Sequence, residues 1–224
     1  MNATQSTSRL AQLRRRRSAT HLSEQPAPDV RDQLRSVLLA VLAEREPALP
    51  ERLLEVAALA HAVAQRMGVR GEELEVTVRA AELHDVGKIA VPEAILNKPT
   101  PLNGMERAII ESHSEVGERI LSAASEMAPV AQLVRACHER YDGHGYPDRR
   151  SGSDIPLGAR IIAVCDAYQA MTNDRSYESG ISPGAALAEL RRCAGTQFDP
   201  DVVEAVCAEL TPGLISPATA SEQP

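Results

Sequence analysis

The sequence predicts an all-α fold, a helical bundle within one large domain, and three observations lead to this prediction. No segment of the 224 residues shows a convincing strand-like alternation of apolar and polar residues. Apolar residues instead recur at intervals of three and four, which is the spacing of one helix face. Glycines and prolines separate these segments at distances typical of helix lengths. Because 43% of the residues are hydrophobic but only 2% are aromatic, the core must consist mainly of Leu, Ala, Val and Ile.

The predicted helices follow one another along the chain with short breaks between them. The first spans residues 30–46 and has an apolar face made of Leu34, Val37, Leu38, Val41 and Leu42. Further helices are predicted at about 51–67, 72–87, 104–122, 129–140, 157–172, 183–193 and 199–210, with a short helix beginning near Pro92. Residues 97–101 and 141–156 are rich in turn formers, and we predict that they form loops.

This pattern divides the chain into a helical domain with tails. We predict a disordered basic tail at residues 1–28, an N-terminal helix at 29–49, the main domain at 50–210 and a disordered C-terminal tail at 211–224. Residues 1–24 contain five arginines against one glutamate, so the remainder must carry −11 for the chain to reach its net charge of −7. An acidic body of this kind argues against general nucleic-acid binding.

Three features of the sequence bear on location. No apolar run approaches the roughly 18 residues that a membrane span requires. The basic N-terminus lacks the apolar segment of a secretory signal. The four cysteines, at positions 137, 165, 193 and 207, show no CxxC spacing and indicate neither a disulfide framework nor a structural zinc site. Together these features predict a cytoplasmic, reducing setting.

The stretch with the strongest chemical signal is His84-Asp85, at the end of a predicted buried helix and followed by Lys88. Unpaired polar groups are costly to bury, so a ligand pair in an apolar segment suggests that it binds something. Imidazole nitrogen and carboxylate oxygen together suit iron, manganese or zinc. The alternative, which this dipeptide alone supports equally well, is a capping aspartate after a core histidine.

Other candidate ligands lie on separate predicted helices. His113, His138 and Asp166 each fall on a different one, so four helices in total offer His or Asp. Metal sites of helical bundles are built in this way, from side chains on facing helices. A single helical histidine is more often a satisfied core residue, but the repeated pattern favours a shared metal site.

The ordered series of motifs resembles the HD-GYP domain, a branch of the HD superfamily of metal-dependent phosphohydrolases. The resemblance covers about residues 50–205, and the segments that carry it are HDVGKIAVPEAILNKPTPL, HSEVGERIL, CHERYDGHGYPD, IPLGARIIAVCDAYQAMTNDRSY and GTQFDP. It implies an all-helical fold, two or three metal ions, often iron or manganese, and hydrolysis of cyclic di-GMP.

The resemblance also implies roles for individual residues. The implied metal ligands are His84, Asp85, His113, His138 and Asp166. Lys88 and Arg175 match basic residues that contact the scissile phosphate, and Tyr146-Pro147 belongs to the GYP signature that shapes the substrate pocket. Asp85 would be shared by two ions that activate water, and Lys88 would stabilise charge on the transferring oxygens, which makes these two the predicted catalytic residues.

The sequence departs from the family pattern at three places. Arg52 stands where the family usually has a ligating histidine, and arginine has donors but no acceptor. His61 is no substitute, because nine residues of helix put it on the opposite face. Cys137 replaces the first histidine of a His-His pair and is an additional candidate ligand for a softer ion such as zinc. Glu178 follows the Asp174–Tyr177 motif, where it would repel a phosphate.

Three hypotheses about function follow. The first is a working phosphodiesterase in which one ion is bound by His84, Asp85 and Asp166 and a second by Asp85, His113 and His138. The second is a degenerate domain that binds a nucleotide or a protein, such as a signalling protein, without efficient hydrolysis. The third is a nucleotidase of the wider superfamily, against which the loop at residues 141–156 that contains the GYP signature, the GYP loop, argues. A homodimer is compatible with all three.

Overall fold

The computed structural model describes residues 29–173 and 180–211. Within these ranges the chain forms α-helices and 3-10 turns and no β-strand, which confirms the all-α prediction. The helices are α1 Val30–Arg45, α2 Leu49–Arg66, α3 Gly71–Leu83, α4 Glu93–Leu96, α5 Gly104–Glu111, α6 His113–Leu121, α7 Ala128–Ala136, α8 Leu157–Thr172, α9 Pro183–Arg192 and α10 Pro200–Leu210. The two predicted tails, and Arg175 and Glu178, lie outside the described residues, apart from Thr211.

Helix α2 is central to the packing. Its apolar residues recur at helical spacing, and the buried ones include Leu53, Val56, Ala57, Ala60, Val63 and Ala64. This stripe packs against α3, α8 and α10, while α3 also contacts α7 and α8. Small alanines on α2 and α3 let the helices approach closely, which explains how a core with few aromatic residues is filled. No helix of the described ranges has the length and apolar character needed to cross a bilayer.

Three helix boundaries differ from the sequence-based predictions. Helix α3 ends at Leu83 and not at residue 87, and α7 ends at Ala136 and not at 140. The single helix predicted at 104–122 is two helices that meet at Ser112. The Ser112 hydroxyl donates to the Ile109 carbonyl, and a side chain that competes for a helix carbonyl favours such a break.

The turn after α3 is fixed against α6 by a close backbone contact. A Cβ added to Gly87 would lie 1.9 Å from the His113 carbonyl oxygen and 2.6 Å from the Gly117 nitrogen. Only glycine fits at this distance. Because residue 87 has no side chain, the 3-10 turn Val86–Ala90 can lie directly on the first turns of α6. This contact brings His84 and Asp85 next to His113.

Candidate metal centre

His84 and His113 are oriented by the same local device. His84 directly follows α3, and its Nδ1 lies 2.8 Å from the Ala81 carbonyl oxygen. His113 begins α6, and its Nδ1 lies 2.6 Å from the Ile110 carbonyl oxygen. A carbonyl only accepts, so both Nδ1 atoms must donate a proton. In its neutral form, each ring therefore presents the lone pair of Nε2 to the interior of the site.

Asp85 lies between two groups of side chains. Its Oδ2 is 3.7 Å from His84 Nε2, and Oδ1 of Asp166 on α8 is 3.4 Å from the same nitrogen. Oδ1 of Asp85 is 3.6 Å from His113 Nε2. That nitrogen is in turn 2.9 Å from His138 Nε2. The carboxylate thus faces one group with each oxygen. Donor atoms of Asp85, His113 and His138 all lie within 4.8 Å of one another.

The arrangement brings together all five residues predicted to be ligands. We call His84, Asp85 and Asp166 the open group and Asp85, His113 and His138 the enclosed group. His84, Asp85 and His113 are buried, with 1%, 6% and 1% exposure, whereas the Asp166 side chain is 37% exposed. The five side chains come from four separate parts of the chain, so the fold and not local sequence makes the cluster.

The donor set fits divalent cations. His84 Nε2 and Asp85 Oδ1 are buried atoms without a hydrogen-bond partner within the described residues. Such orphaned acceptors are costly unless a cation or proton binds them. Imidazole nitrogens and carboxylate oxygens are the donors that zinc, iron and manganese accept. The backbone carbonyls of Ala81 and Ile110, which accept from Nδ1 of these rings, are typical partners for metal-binding imidazoles.

The electrostatics of the open group also favour a cation. Burial lowers the pKa of His84, but the carboxylates of Asp85 and Asp166 outweigh burial and raise the pKa to about 9. Burial raises the pKa of Asp85, but the charges of Lys88 and His84 hold it well below its usual range. In the absence of a metal, a proton on His84 therefore supplies the positive charge that these carboxylates attract.

The enclosed group has the opposite character. Burial lowers the pKa of His138, and the neighbouring His113 lowers it further, to about 3. Burial also lowers the pKa of His113. Both rings are therefore neutral at physiological pH, which is the state in which imidazole binds metal.

The GYP loop covers the enclosed group. Tyr146 stacks on His138 with ring centroids 5.2 Å apart and 15° between the planes. Buried Glu139 accepts from the backbone nitrogens of Asp148 and Arg150 at 2.7 and 3.1 Å, which holds the loop in place. A Cβ on Gly145 would lie 2.3 Å from the Arg140 nitrogen, so the loop packs tightly on its own base. Pro147 follows Tyr146 through a cis peptide bond.

A cavity of about 370 Å³ opens beside the open group. Its lining contains His84, Asp85, Lys88 and Asp166, and also the Arg52 and Glu46 side chains. Among the described residues, His113, His138 and Tyr146 do not line it. Tyr146, which is predicted to shape a substrate pocket, therefore lies outside the lining of this cavity and contacts the enclosed group through His138. Lys88 Nζ lies 2.7 Å from Asp85 Oδ2, and the Asp85 charge outweighs burial to raise the Lys88 pKa.

Other predicted site residues have different surroundings. Cys137 is buried, its thiol donates to the Val134 carbonyl at 3.1 Å, and burial holds its pKa well above the usual value. The thiol is thus engaged with the backbone of its own helix. His61 lines a different cavity, of about 450 Å³, with Arg35, Arg79 and Glu82. Arg175 lies outside the described residues.

Sequence reasoning missed two carboxylates of this region. Glu139 fixes the GYP loop, and its position directly after His138 in the motif is the signal that could have found it. Glu46 forms an ion pair with Arg52 in the cavity wall. Nothing in the local sequence marks Glu46, because the pair forms across the break between α1 and α2.

The family comparison matches most of the chain. The model of a family described as "HD domain" matches residues 36–202. The cyclic di-GMP phosphodiesterase response regulator RpfG of Xanthomonas campestris is 41% identical over 158 residues, covering 70% of this chain and 41% of that protein. The 3'3'-cGAMP-specific phosphodiesterase 2 of Vibrio cholerae is 36% identical over 151 residues, covering 66% of this chain and 29% of that protein. The chain spans less than half the length of these relatives.

Solved structures share the fold. Bd1817, an HDG"Y"P protein from Bdellovibrio bacteriovorus, superposes with a TM-score of 0.60 at 16% identity, covering 72% of this chain and 52% of that one. The PgpH HD domain of L. monocytogenes superposes with a TM-score of 0.55 at 18% identity, covering 77% of this chain and 96% of that one. The family match, the helical fold and the His84-Asp85 motif agree with one another. The chain therefore belongs to the HD domain family, in the HD-GYP branch that its motif series resembles.

Proposed function

We propose that this chain is a metal-dependent phosphodiesterase that hydrolyses cyclic di-GMP. The observation that carries the proposal is Asp85, whose two oxygens face two separate groups of buried imidazoles and carboxylates. Such a bridging carboxylate is typical of sites that hold two ions side by side for phosphoester hydrolysis. The similarity to cyclic dinucleotide phosphodiesterases supports the substrate class.

Two divalent ions fit the ligand arrangement. One would be held by the open group and the other by the enclosed group, with Asp85 common to both. Iron or manganese suits a mixed set of imidazoles and carboxylates, and zinc is the alternative. When bound, the ions supply Lewis-acid activation of water and of the phosphate.

The protein's own residues provide orientation and charge. The backbone carbonyls of Ala81 and Ile110 accept from Nδ1 of His84 and His113 and so reserve Nε2 of each ring for the ions, and the ion of the open group would take the place of the proton on His84. Lys88 lines the cavity beside Asp85 and would place its ammonium near the phosphate oxygens, stabilising the charge that develops there. Arg175 is proposed to assist in the same way.

The alternative is a degenerate domain that binds a nucleotide or a protein partner without efficient hydrolysis. Arg52 favours it, because an arginine that lines the same cavity as His84 and Asp166 adds positive charge but no metal ligand. Under this alternative the guanidinium would replace the charge of one ion, and metal content would stay low.

One experiment separates the two functions. Protein purified without chelator is analysed for Fe, Mn and Zn, and turnover is then measured with cyclic di-GMP, 3'3'-cGAMP and cyclic di-AMP. We expect close to two ions per chain and turnover of cyclic di-GMP that chelator abolishes and Mn²⁺ or Fe²⁺ restores. Cyclic di-GMP binding without metal or turnover would instead establish the degenerate domain, and turnover of another nucleotide alone would replace the substrate.

A further inference from the structure

The cavity beside the open group has a second cationic side chain besides Lys88. Arg52 on α2 lines the same cavity as His84, Asp85 and Asp166. Lys88 donates to Asp85 Oδ2 at 2.7 Å, so its ammonium lies beside the metal centre, where the scissile phosphate would bind. In the described part of the chain, Arg52 forms no hydrogen bond or ion pair with the five predicted ligands, and its side chain is 44% exposed. Its guanidinium therefore faces whatever occupies the cavity.

The partner of Arg52 is readily exchanged. Its ion pair is with Glu46, whose side chain is 37% exposed and lines the same cavity. Ion pairs this exposed contribute little to stability. The bond uses Nη2, whereas a guanidinium has five N–H donors in a planar fork that fits two phosphate oxygens at once. The single contact to Glu46 therefore leaves most of the guanidinium donors of Arg52 available to a phosphate.

A cyclic dinucleotide has two phosphodiesters, and each carries a negative charge. When one is at the metal centre, the other must lie elsewhere in the cavity. The α2 wall beside Arg52 is apolar, with Leu49, Leu53 and Val56, and the amides elsewhere in the lining are uncharged, so neither neutralises that charge. Desolvating an unpaired phosphate is costly, so a cation at this wall would increase substrate affinity.

We propose that Arg52 binds the non-scissile phosphate of a cyclic dinucleotide, and that the Glu46 carboxylate holds the guanidinium in position until the phosphate displaces it. This inference rests on the proposed function and adds a specificity-determining residue to it. It distinguishes substrates with two phosphates from simple diesters, because only the former have a charge for Arg52 to bind.

The test compares two substrates across four variants. Arg52→Ala, Arg52→Lys, Glu46→Gln and a control, Arg66→Ala, are assayed with cyclic di-GMP and with bis(p-nitrophenyl) phosphate, which has one phosphate. Arg66 lies on the same helix and pairs with Glu209 at 2.8 Å, far from the cavity, so it matches Arg52 in residue type and pairing. Metal content and the thermal melting temperature are measured for each variant.

We expect Arg52→Ala to raise KM for cyclic di-GMP about tenfold with kcat changed less than about twofold. The selectivity for cyclic di-GMP over the simple diester falls by the same factor. Arg52→Lys recovers part of the loss, because it keeps the charge but not the fork. Glu46→Gln lowers KM about twofold by removing the competing carboxylate, and Arg66→Ala leaves the selectivity unchanged.

Two results would overturn the proposal. One is an equal loss with both substrates, and the other is a loss of metal in Arg52→Ala, which would mean that Arg52 acts through the metal centre. If the wild-type protein hydrolyses neither substrate, the proposed function fails separately, and calorimetric binding of cyclic di-GMP decides the role of Arg52. Binding about tenfold weaker in Arg52→Ala supports it, and unchanged binding refutes it.

Discussion

The open and enclosed groups use similar residues in opposite electrostatic settings. His84 and His138 have ring centroids only 6.2 Å apart, yet the pKa of His84 is raised to about 9 and that of His138 is lowered to about 3. The difference arises because His84 faces two carboxylates, whereas His138 faces another imidazole and lies under Tyr146. The open group therefore has carboxylates that attract a cation and can be reached from the cavity. The imidazoles of the enclosed group are neutral and lie under Tyr146.

The two groups would therefore bind their cations for different physical reasons. A cation at the open group would gain mainly from the attraction of Asp85 and Asp166, which solvent and salt can screen at the cavity. A cation at the enclosed group would bind imidazoles that are already neutral and close together, and it would replace the proton shared between the Nε2 atoms of His113 and His138. We expect the two ions to differ in exchange rate, with the ion of the open group leaving first during dialysis against chelator.

The largest expected effect comes from removing the residue that joins the two groups. Asp85→Ala should lower the metal content to well under one ion per chain and reduce turnover of cyclic di-GMP by at least about 10³-fold, since both groups lose a ligand. Elemental analysis and single-turnover kinetics measure this. Asp201→Ala, an exposed aspartate in the first turn of α10, is the control and should retain both metal and turnover.

Substituting Gly87 should disturb the packing of the turn after α3 against α6 without changing any predicted ligand. Gly87→Ala places a methyl group where the His113 carbonyl oxygen lies, and we expect a loss of about 3 kcal/mol in the free energy of unfolding. Urea denaturation of the metal-free protein measures the change. Gly104→Ala is the matched control, because a Cβ there meets nothing within 4 Å and should cost less than about 0.5 kcal/mol. Equal effects of the two substitutions would contradict the close contact.

Two substitutions should each remove one half of the site. Asp166→Asn should weaken metal binding at the open group by more than the roughly 10- to 100-fold that losing a ligand's orienting partner costs, and it should leave one ion bound; His138→Ala should do the same at the enclosed group. Titration of the metal-free variants with Mn²⁺, followed by calorimetry, gives the stoichiometry and affinity of the remaining ion. Loss of both ions in either variant would show that the groups do not bind independently.

A smaller effect should appear in the pH dependence of stability. The folded pKa of His84, about 9, lies above the unfolded value, so its contribution is fully present below about pH 6.5 and is lost as pH rises through about 9. The metal-free protein should therefore lose melting temperature over this range. The metal-loaded protein and a metal-free His84→Asn variant should show a flatter profile, with exposed His144→Asn as the control.

The helical fold and the five converging residues can both be predicted from the sequence, because they depend on residue spacing and on an ordered series of motifs. Helical spacing identified the buried faces, and the motif series pointed to His84, Asp85, His113, His138 and Asp166. That these residues bind metal stays a prediction. The signalling partner, the homodimer and the cytoplasmic location also stay predictions.

The details that sequence did not predict depend on contacts across breaks in the chain. The predicted ends of α3 and α7 lie about four residues too late. Helix-compatible residues continue past the points where the side chains of His84 and Cys137 bond to backbone carbonyls of the preceding turn. The pairing of Arg52 with Glu46 joins α2 to the residue that ends α1, so neither helix pattern reveals it. Periodicity identifies faces, but side-chain competition for carbonyls decides where a helix stops.

The orientation of His84 by Ala81, three residues earlier, has a practical consequence for protein engineering. The segment Ala81–His84 carries both a coordinating ring and the acceptor that aligns it, so it requires no distant helper residue. His113 repeats the arrangement with Ile110 in an unrelated stretch. Introducing these four residues at the end of another helix should therefore give a histidine whose ring is already oriented by its own backbone.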